Sequence, residues 1–320
     1  MSLAAKPMRN FTPQEIKDYQ DDGVVMVKGL LEPNWLNMIE QGVEEALNNA
    51  SVMGRFMSRK TQGYNMDAFL WKRIDVLRDL IYYSPFAHWA QQLMGAKEVR
   101  FFYDQMFVKN PGTDAPTPWH QDLTFWPLEG SQICSFWVPL DPVNRESSGL
   151  QYVKGSHKWS NRYRAVSPDL NATTLNSNLE NVPDINANLD KYDVIDWEME
   201  PGDVLIFHPL TLHGSSGNKT RKQKRRALAL RWMGEDVKYS PQASTMPISY
   251  QHNSIEGGAM GGGAFPVILP QHDPAERLTR GNGVEHPLLS TTVKALGKNA
   301  LSSAKLRLSG FKADSVKQTW

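Results

Sequence analysis

Residues 99–109 read VRFFYDQMFVK, a dense run of β-branched and aromatic side chains. It opens a series of short segments of the same kind: SQICSFWVPLD (131–141), GLQYVKG (149–155), DVIDWEM (193–199), GDVLIFHP (202–209) and RALALRWM (226–233). Turn residues separate them, and no helical period intervenes. Strands that follow one another without crossover helices build a sandwich or barrel, not a parallel α/β sheet. The stretch 160–190 is polar and rich in Asn and Pro. It reads as a long insertion, and long loops inside compact domains serve as lids or binding loops.

Upstream the texture is mixed and mostly helical. Thr12-Pro13-Gln14-Glu15 is a capping-box start with Pro at the first helical position. The apolar run Val24 to Val27 after Gly23 reads as a strand. Pro33 opens a helix with Trp35, Leu36, Ile39, Val43 and Leu47 at helical spacing. Residues 51–65 have no clear period and read as a flexible loop. Ser84-Pro85 starts a further helix that Gly95 stops. Downstream of Asp236 the pattern weakens. GGAMGGGAFP (257–266) reads as a flexible glycine tract, and 288–320 as a solvated amphipathic helix carrying Lys294, Lys298, Lys305 and Arg307. We expect a single domain over 1–320: helical support from 1 to 97, a β core from 98 to 235 with an insertion near 160–190, and a C-terminal extension from 236.

The charge balance excludes some functions. Lys and Arg number 35 against 34 acidic residues, a net charge of +1. Nucleic-acid binders that depend on phosphate neutralisation are strongly basic, so no nucleic acid is expected as partner. No run approaches the length of a membrane span, and the start MSLAAKPMRN lacks the apolar core of a signal peptide. The only cysteine is Cys134, which forbids an internal disulfide and a cysteine-based zinc site. A cytoplasmic enzyme acting on a small molecule is the expectation, and the sequence leaves a homo-oligomer open.

Two motifs carry chemistry. In Pro118-Trp119-His120-Gln121-Asp122, side chains two apart on an extended chain point to the same side. His120 and Asp122 can therefore reach one metal ion. The stretch 202–215, GDVLIFHPLTLHGS, is a turn, an apolar strand and a histidine followed by Gly-Ser. His213 or His208 could complete a set of two imidazoles and one carboxylate. His208 lies five residues from His213, so on a continuous strand it faces the other way. Such a set leaves three coordination positions open, as in the facial triad of non-haem Fe(II) oxygenases. An arginine opening the next strand, Arg225 or Arg226, could hold a co-substrate carboxylate as a bidentate ion pair. Small neighbours, Ala227 and Ala229, favour the Arg225 face.

These residues resemble the phytanoyl-CoA dioxygenase family of Fe(II)/2-oxoglutarate-dependent oxygenases. The resemblance rests on His120-Gln121-Asp122-Leu123, on Trp137, and on Gly149-Leu150 with Gly155-Ser156-His157. It continues through His213-Gly214-Ser215 and Asn218 to Arg225-Arg226-Ala227, spanning roughly residues 100–235. It implies a double-stranded β-helix core (jelly roll, cupin-like), mainly β, with N-terminal helices packed on one sheet. It implies His120, Asp122 and His213 as iron ligands. Arg225 would clamp 2-oxoglutarate, with Ser215, Gln121 and Trp137 lining that co-substrate and Gln105 in contact by looser analogy. Fe(II), 2-oxoglutarate and O2 are the implied cofactor set. The implied reaction is hydroxylation, or other oxidation, of an unactivated C–H, with succinate and CO2 as co-products. Relatives that halogenate have a small residue in place of Asp122, so the carboxylate argues for hydroxylation.

The spacing from His213 to the arginine pair is one residue longer than in relatives, which keeps Arg226 as the rival clamp. His157 reads as a turn residue, His88 as structural, and Cys134 as a small buried hydrophobe. Phe125 and Trp126 could wall a substrate pocket, and Arg55, Arg59 and Lys60 could meet an anionic substrate. Lys72 could contact co-substrate or substrate, and His252, His272 and His286 could face substrate. Other readings are an acyl-CoA hydroxylase of the same family, a cupin-type metal-dependent hydrolase or isomerase, and a non-enzymatic jelly-roll binding module.

Overall fold

Thr12 caps the first helix as its sequence requires. Its side chain accepts from the Glu15 N–H while the Glu15 carboxylate accepts from the Thr12 N–H. Helix α1 (Pro13–Asp22) ends at Gly23, whose left-handed φ of 75° a side chain would strain. A Cβ there would also meet His157 at 2.3 Å. Strand β1 (Val24–Val27) follows, then helix α2 (Pro33–Asn48). The computed structural model describes residues 4–61, 63–165, 179–242, 245, 246, 248, 250 and 252–270. The expected tail helix at 288–320, His272, His286 and the middle of the 160–190 insertion lie outside the described residues.

The loop expected at 51–65 is instead helix α3 (Val52–Lys60), followed by strand β2 (Tyr64–Ala68). Its Met, Arg and Lys residues favour helix without making an apolar stripe, so periodicity gave no signal. What fixes it is remote. The Ser51 hydroxyl accepts from the Gly54 N–H, and the Asp67 carboxylate accepts from the Ser51 N–H at 2.8 Å and from its hydroxyl at 2.6 Å.

Helices α4 (Asp75–Tyr83) and α5 (Phe86–Met94) complete the helical layer. The strands continue with β3 (Val99–Lys109), β4 (Thr117–His120), β5 (Leu128–Glu129), β6 (Ile133–Pro139), β7 (Gln151–Val153) and β8 (Val194–Asp196). They end with β9 (Val204–Phe207), β10 (His213–Ser215), β11 (Arg225–Met233), β12 (Lys238–Tyr239) and β13 (Val267–Leu269). The seven-stranded sheet runs β1-β9-β6-β11-β3-β13, with β2 also on β3. The four-stranded sheet runs β4-β10-β7-β8, and every named strand pair is antiparallel. The two sheets form the jelly roll that the family resemblance implies. The core sheet extends beyond 98–235, since β1, β2 and β13 join it.

Alternation on β11 sorts the two faces. Leu228, Leu230 and Trp232 join Phe136, Val138, Val204 and Ile206 under the helices, packed against Ile39, Val43, Leu77, Phe86 and Trp89. Each such side chain fully buried contributes about 1.5–3 kcal/mol. Cys134 is buried in the same layer. Ala227 and Ala229 face the opposite way with Trp137, Leu205 and Phe207, towards the four-stranded sheet. Their small size leaves room between the sheets.

Two expectations change here. The described ends of the 160–190 insertion pack Tyr163, Val182 and Ile185 against Trp119, Val153 and Leu212. Those residues alternate with His120, Tyr152 and His213, so this part covers the outer face of the small sheet and not a cavity mouth. The glycine tract at 257–266 also carries buried anchors: Met260, Ala264 and Phe265 pack with Phe102 and Trp126. Among the described residues no helix is long and apolar enough to cross a membrane.

Candidate metal centre

Strands β4 and β10 are neighbours in register, and His213 stands directly opposite His120. Side chains so paired on one face lie close, and the two imidazole centroids are 4.2 Å apart. Gln121 continues extended at φ −110°, ψ 127°, which brings Asp122, at the start of a short turn, back to the same side. Asp122 Oδ1 lies 3.3 Å from His120 Nε2 and 3.8 Å from His213 Nε2. The three groups present one donor atom each, all within 4.8 Å of one another.

Both rings are held by their other nitrogen. His120 Nδ1 is 2.7 Å from the Pro118 carbonyl, and His213 Nδ1 is 2.9 Å from the Thr211 carbonyl. A carbonyl can only accept, so Nδ1 carries the proton in each and Nε2 presents a lone pair to the centre. Burial, then the neighbouring His120, pushes the His213 pKa down to about 3. Burial alone would raise the Asp122 carboxyl, but Arg231 foremost, with His120 and His213, outweighs it and holds the group well below the usual carboxylate range. Asp122 Oδ2 is buried with no hydrogen-bond partner. Two imidazoles and an ionised carboxylate with a spare oxygen fit a divalent cation.

The three groups open onto a cavity between the sheets. Its walls include Tyr64, Phe107, Thr117, Trp137, Phe207 and Arg225. Arg225 is 1% exposed; Nη1 donates to the Phe107 carbonyl at 3.3 Å, and the guanidinium lies 5.7 Å from the Trp137 ring. Its Nε is buried without a partner. Burial draws its pKa below the ordinary value, with Tyr64 acting against that. Arg226 faces outward. Nη2 reaches Asp141 at 2.8 Å, and Nη1 reaches Glu40 at 2.9 Å and Glu44 at 2.8 Å, tying β11 to α2.

Other expected site residues lie elsewhere. Gln121 points away from the cavity. Its amide donates to the Leu210 carbonyl at 3.0 Å, and its oxygen accepts from the Tyr163 N–H at 3.0 Å. Alternation dictates this, since a residue between two that face inward faces outward. Ser215 is buried behind the wall with Lys109 Nζ at 3.1 Å and Ser148 Oγ at 3.1 Å. A register shift between His213 and Ser215 sets it back. Gln105 is half-buried beside Ala229 and outside the lining. Lys72 reaches the Gly263 carbonyl and does not line the cavity. His252 packs on Tyr239, and Arg55 donates to the Ala50 carbonyl. Phe125 stands edge-on to His120 at 5.7 Å, while Trp126 donates its N–H to the Tyr103 hydroxyl at 2.9 Å.

Neither His208, the rival ligand, nor His157 joins the centre. His157 Nε2 lies 3.1 Å from the Gln20 carbonyl, and His208 Nδ1 accepts from the Leu210 N–H at 3.2 Å. Burial pushes the His208 pKa down to about 4. The unfolded chain therefore takes up this proton first, near pH 6.5. The stabilising contribution is complete above that pH and is lost as pH falls towards 4. Between pH 7.5 and pH 5 His208 should cost the fold about 2 kcal/mol. Urea unfolding at the two pH values should show a drop smaller by that amount in His208→Gln; an unchanged drop would refute the assignment.

Sequence reasoning missed Tyr64, Thr117, Lys109 and Arg231. The last had a signal: Arg225, Ala227, Ala229 and Arg231 share one parity on β11. Lys109 is wholly buried, its Nζ donating to Ser148, Ser215 and the Ser216 carbonyl, and burial pushes its pKa well below the ordinary value.

Comparison with known proteins follows the same lines. The phytanoyl-CoA dioxygenase (PhyH) family model matches residues 19–227. The human peroxisomal phytanoyl-CoA dioxygenase is 30% identical over 124 residues, covering 38% of this chain and 35% of that one. The match thus spans about a third of that relative's length. Among solved structures, the non-haem α-ketoglutarate-dependent carbocyclase SnoK from nogalamycin biosynthesis superposes with a TM-score of 0.62 at 21% identity, over 82% of this chain and 99% of that one. The epimerase SnoN, solved with Fe3+, α-ketoglutarate and nogalamycin RO, gives 0.62 at 20% identity over 80% and 97%. Those two likenesses are of fold. With the family model covering residues 19–227 of the 320, this chain belongs to the phytanoyl-CoA dioxygenase family, a family of oxidoreductases.

Proposed function

We propose that this chain is an Fe(II)- and 2-oxoglutarate-dependent dioxygenase that hydroxylates an unactivated C–H bond of a small organic metabolite. One observation carries the reading. Two imidazole Nε2 atoms and the Asp122 carboxylate converge at the wall of a cavity whose other wall holds a buried arginine, Arg225. His120, Asp122 and His213 would hold the iron, leaving half its coordination sphere to other ligands. Arg225 would take the distal carboxylate of 2-oxoglutarate, its free Nε and the Trp137 ring giving that end a fixed seat. Bound there, ferrous iron with 2-oxoglutarate would supply the oxidation: O2 would be consumed, one oxygen ending in the C–H bond and the other in succinate as CO2 is released. The chain's own contribution is orientation and exclusion of water. Phe107, Leu150, Phe207 and Ala229 make the apolar part of the wall. The carbonyl-fixed tautomers of His120 and His213 keep both lone pairs aimed without reorganisation.

Asp122 fills the third ligand position, so the reading is hydroxylation and not halogenation. A hydrolase or isomerase built on the same ligands has no use for the buried Arg225. A reducing compartment such as the cytoplasm suits a chain whose described cysteine, Cys134, is free and buried. The test is succinate formation from 2-oxoglutarate, with Fe(II) and ascorbate, across a panel of small metabolites and acyl-CoA thioesters. Succinate coupled to a hydroxylated small metabolite is expected. Coupling to the thioesters alone would move the substrate class, and metal-dependent turnover without 2-oxoglutarate would overturn the reading.

A further inference from the structure

Strand β11 aims two guanidiniums into the cavity, Arg225 at one end of the Ala227–Ala229 row and Arg231 at the other. Arg231 is 3% exposed. Its Nη2 lies 3.6 Å from Asp122 Oδ2, and its Nε and Nη1 are buried with no hydrogen-bond partner. The guanidinium is 4.4 Å from the Tyr103 ring, 5.4 Å from Trp126 and 5.9 Å from Phe107. Aromatic faces hold its plane but accept none of its in-plane N–H bonds. Burying donors without acceptors is costly, and such groups in a folded protein call for a ligand or a solvent partner.

Charge counting points to which ligand. The cavity wall carries one anion, Asp122, and two cations, Arg225 and Arg231. On the reading proposed above, a ferrous ion and a 2-oxoglutarate dianion enter with equal and opposite charge. The sum stays at one surplus positive charge, inside a space where unpaired charge is expensive. Charge on Lys109, behind the wall, would only enlarge the surplus. A co-substrate seated on Arg225 leaves Arg231 without a carboxylate of its own.

We propose that Arg231 anchors the substrate, and that the substrate carries a carboxylate. One edge of the guanidinium, Nη2 together with the unpartnered Nε or the unpartnered Nη1, donates to its oxygens, which completes the charge balance. The planar fork of arginine matches a carboxylate, and Phe107 on the cavity wall gives the adjoining carbon skeleton an aromatic surface. Held there, the substrate lies beside Asp122 and hence beside the metal position. The inference rests on the oxygenase reading for the word substrate, but not for the binding itself.

The test uses the full chain loaded with Mn(II) and 2-oxoglutarate, which binds without turning over. Matched pairs are titrated by tryptophan fluorescence: 3-phenylpropanoate and its primary amide, cyclohexanecarboxylate and its amide, decanoate and its amide. At least one acid should bind tenfold or more tighter than its amide. At saturating Mn(II), Arg231→Gln should bring acid and amide within twofold while 2-oxoglutarate affinity stays within twofold of wild type; Mn(II) affinity itself should shift, because Arg231 supports Asp122. Arg231→Lys, which keeps the charge and loses the fork, should retain a reduced preference. The proposal is overturned if no pair is discriminated by the wild type, or if Arg231→Gln still discriminates. It is equally overturned if, at saturating Mn(II), that variant loses 2-oxoglutarate affinity as steeply as acid affinity. Failure of the wild type to take up Mn(II) and 2-oxoglutarate would instead sink the oxygenase reading. The same pairs titrated into metal-free protein would then decide for or against Arg231 as a carboxylate anchor.

Discussion

Replacing Asp122 by alanine should abolish turnover and lower metal affinity on the order of a hundredfold or more, while the chain still folds. Weakening even the outer support of a metal ligand costs roughly 10–100-fold, and Asp122 supplies one of the three donor atoms themselves. It contributes little to packing. One of its oxygens has no hydrogen-bond partner, and its nearest charged neighbour, Arg231, stands 3.6 Å off. Its loss nonetheless leaves the buried Arg231 without an ion partner, so the metal-free variant should be about 3 kcal/mol less stable, a melting-temperature drop on the order of 10 °C. Metal uptake by equilibrium dialysis and succinate formation read the two losses. Wild-type turnover in the variant would refute the ligand assignment.

The second large effect separates the neighbouring arginines. Arg225→Ala should raise the 2-oxoglutarate requirement by about a hundredfold, since paired charge-assisted hydrogen bonds in a buried site are worth about 3 kcal/mol. Arg226→Ala should leave that requirement within about threefold. It should instead cost stability, because Asp141, Glu40 and Glu44 lose their common partner. Glu40 and Glu44 are 47% and 46% exposed, so solvent screens much of that network. A cost of about 1–2 kcal/mol is expected. Steady-state kinetics in 2-oxoglutarate and urea unfolding, run on both variants, give the comparison. A reversed pattern would make Arg226 the clamp.

Much of this was legible from alternation alone. The row Arg225, Ala227, Ala229, Arg231 against Arg226, Leu228, Leu230, Trp232 sorts β11 into a cavity face and a helix face. The same rule sends His120 and Asp122 one way and Gln121 the other. The family resemblance implies Gln121 beside the co-substrate, but parity turns its side chain to the opposite face, where it bonds the Leu210 carbonyl and the Tyr163 N–H. Other features depend on partners far along the chain, which no local pattern records. Helix α3 is held by Ser51 and Gly54 against Asp67. Lys109 is buried because Ser148, Ser215 and Ser216 converge on its ammonium. Ser215 leaves the wall because the register of β10 slips between 213 and 215. The glycine tract at 257–266 looked mobile because its anchors, Met260 and Phe265, are too sparse to make a period.

The convergence of His120, Asp122 and His213 on one ferrous ion is best tested by anaerobic titration of metal-free protein, first with Fe(II) and then with 2-oxoglutarate. The account predicts uptake of one iron per chain. A visible charge-transfer band should follow that needs both additions and is absent in Asp122→Ala and His213→Ala. Iron uptake and a band that survive in those variants, or a wild-type chain that takes up no iron, would contradict it.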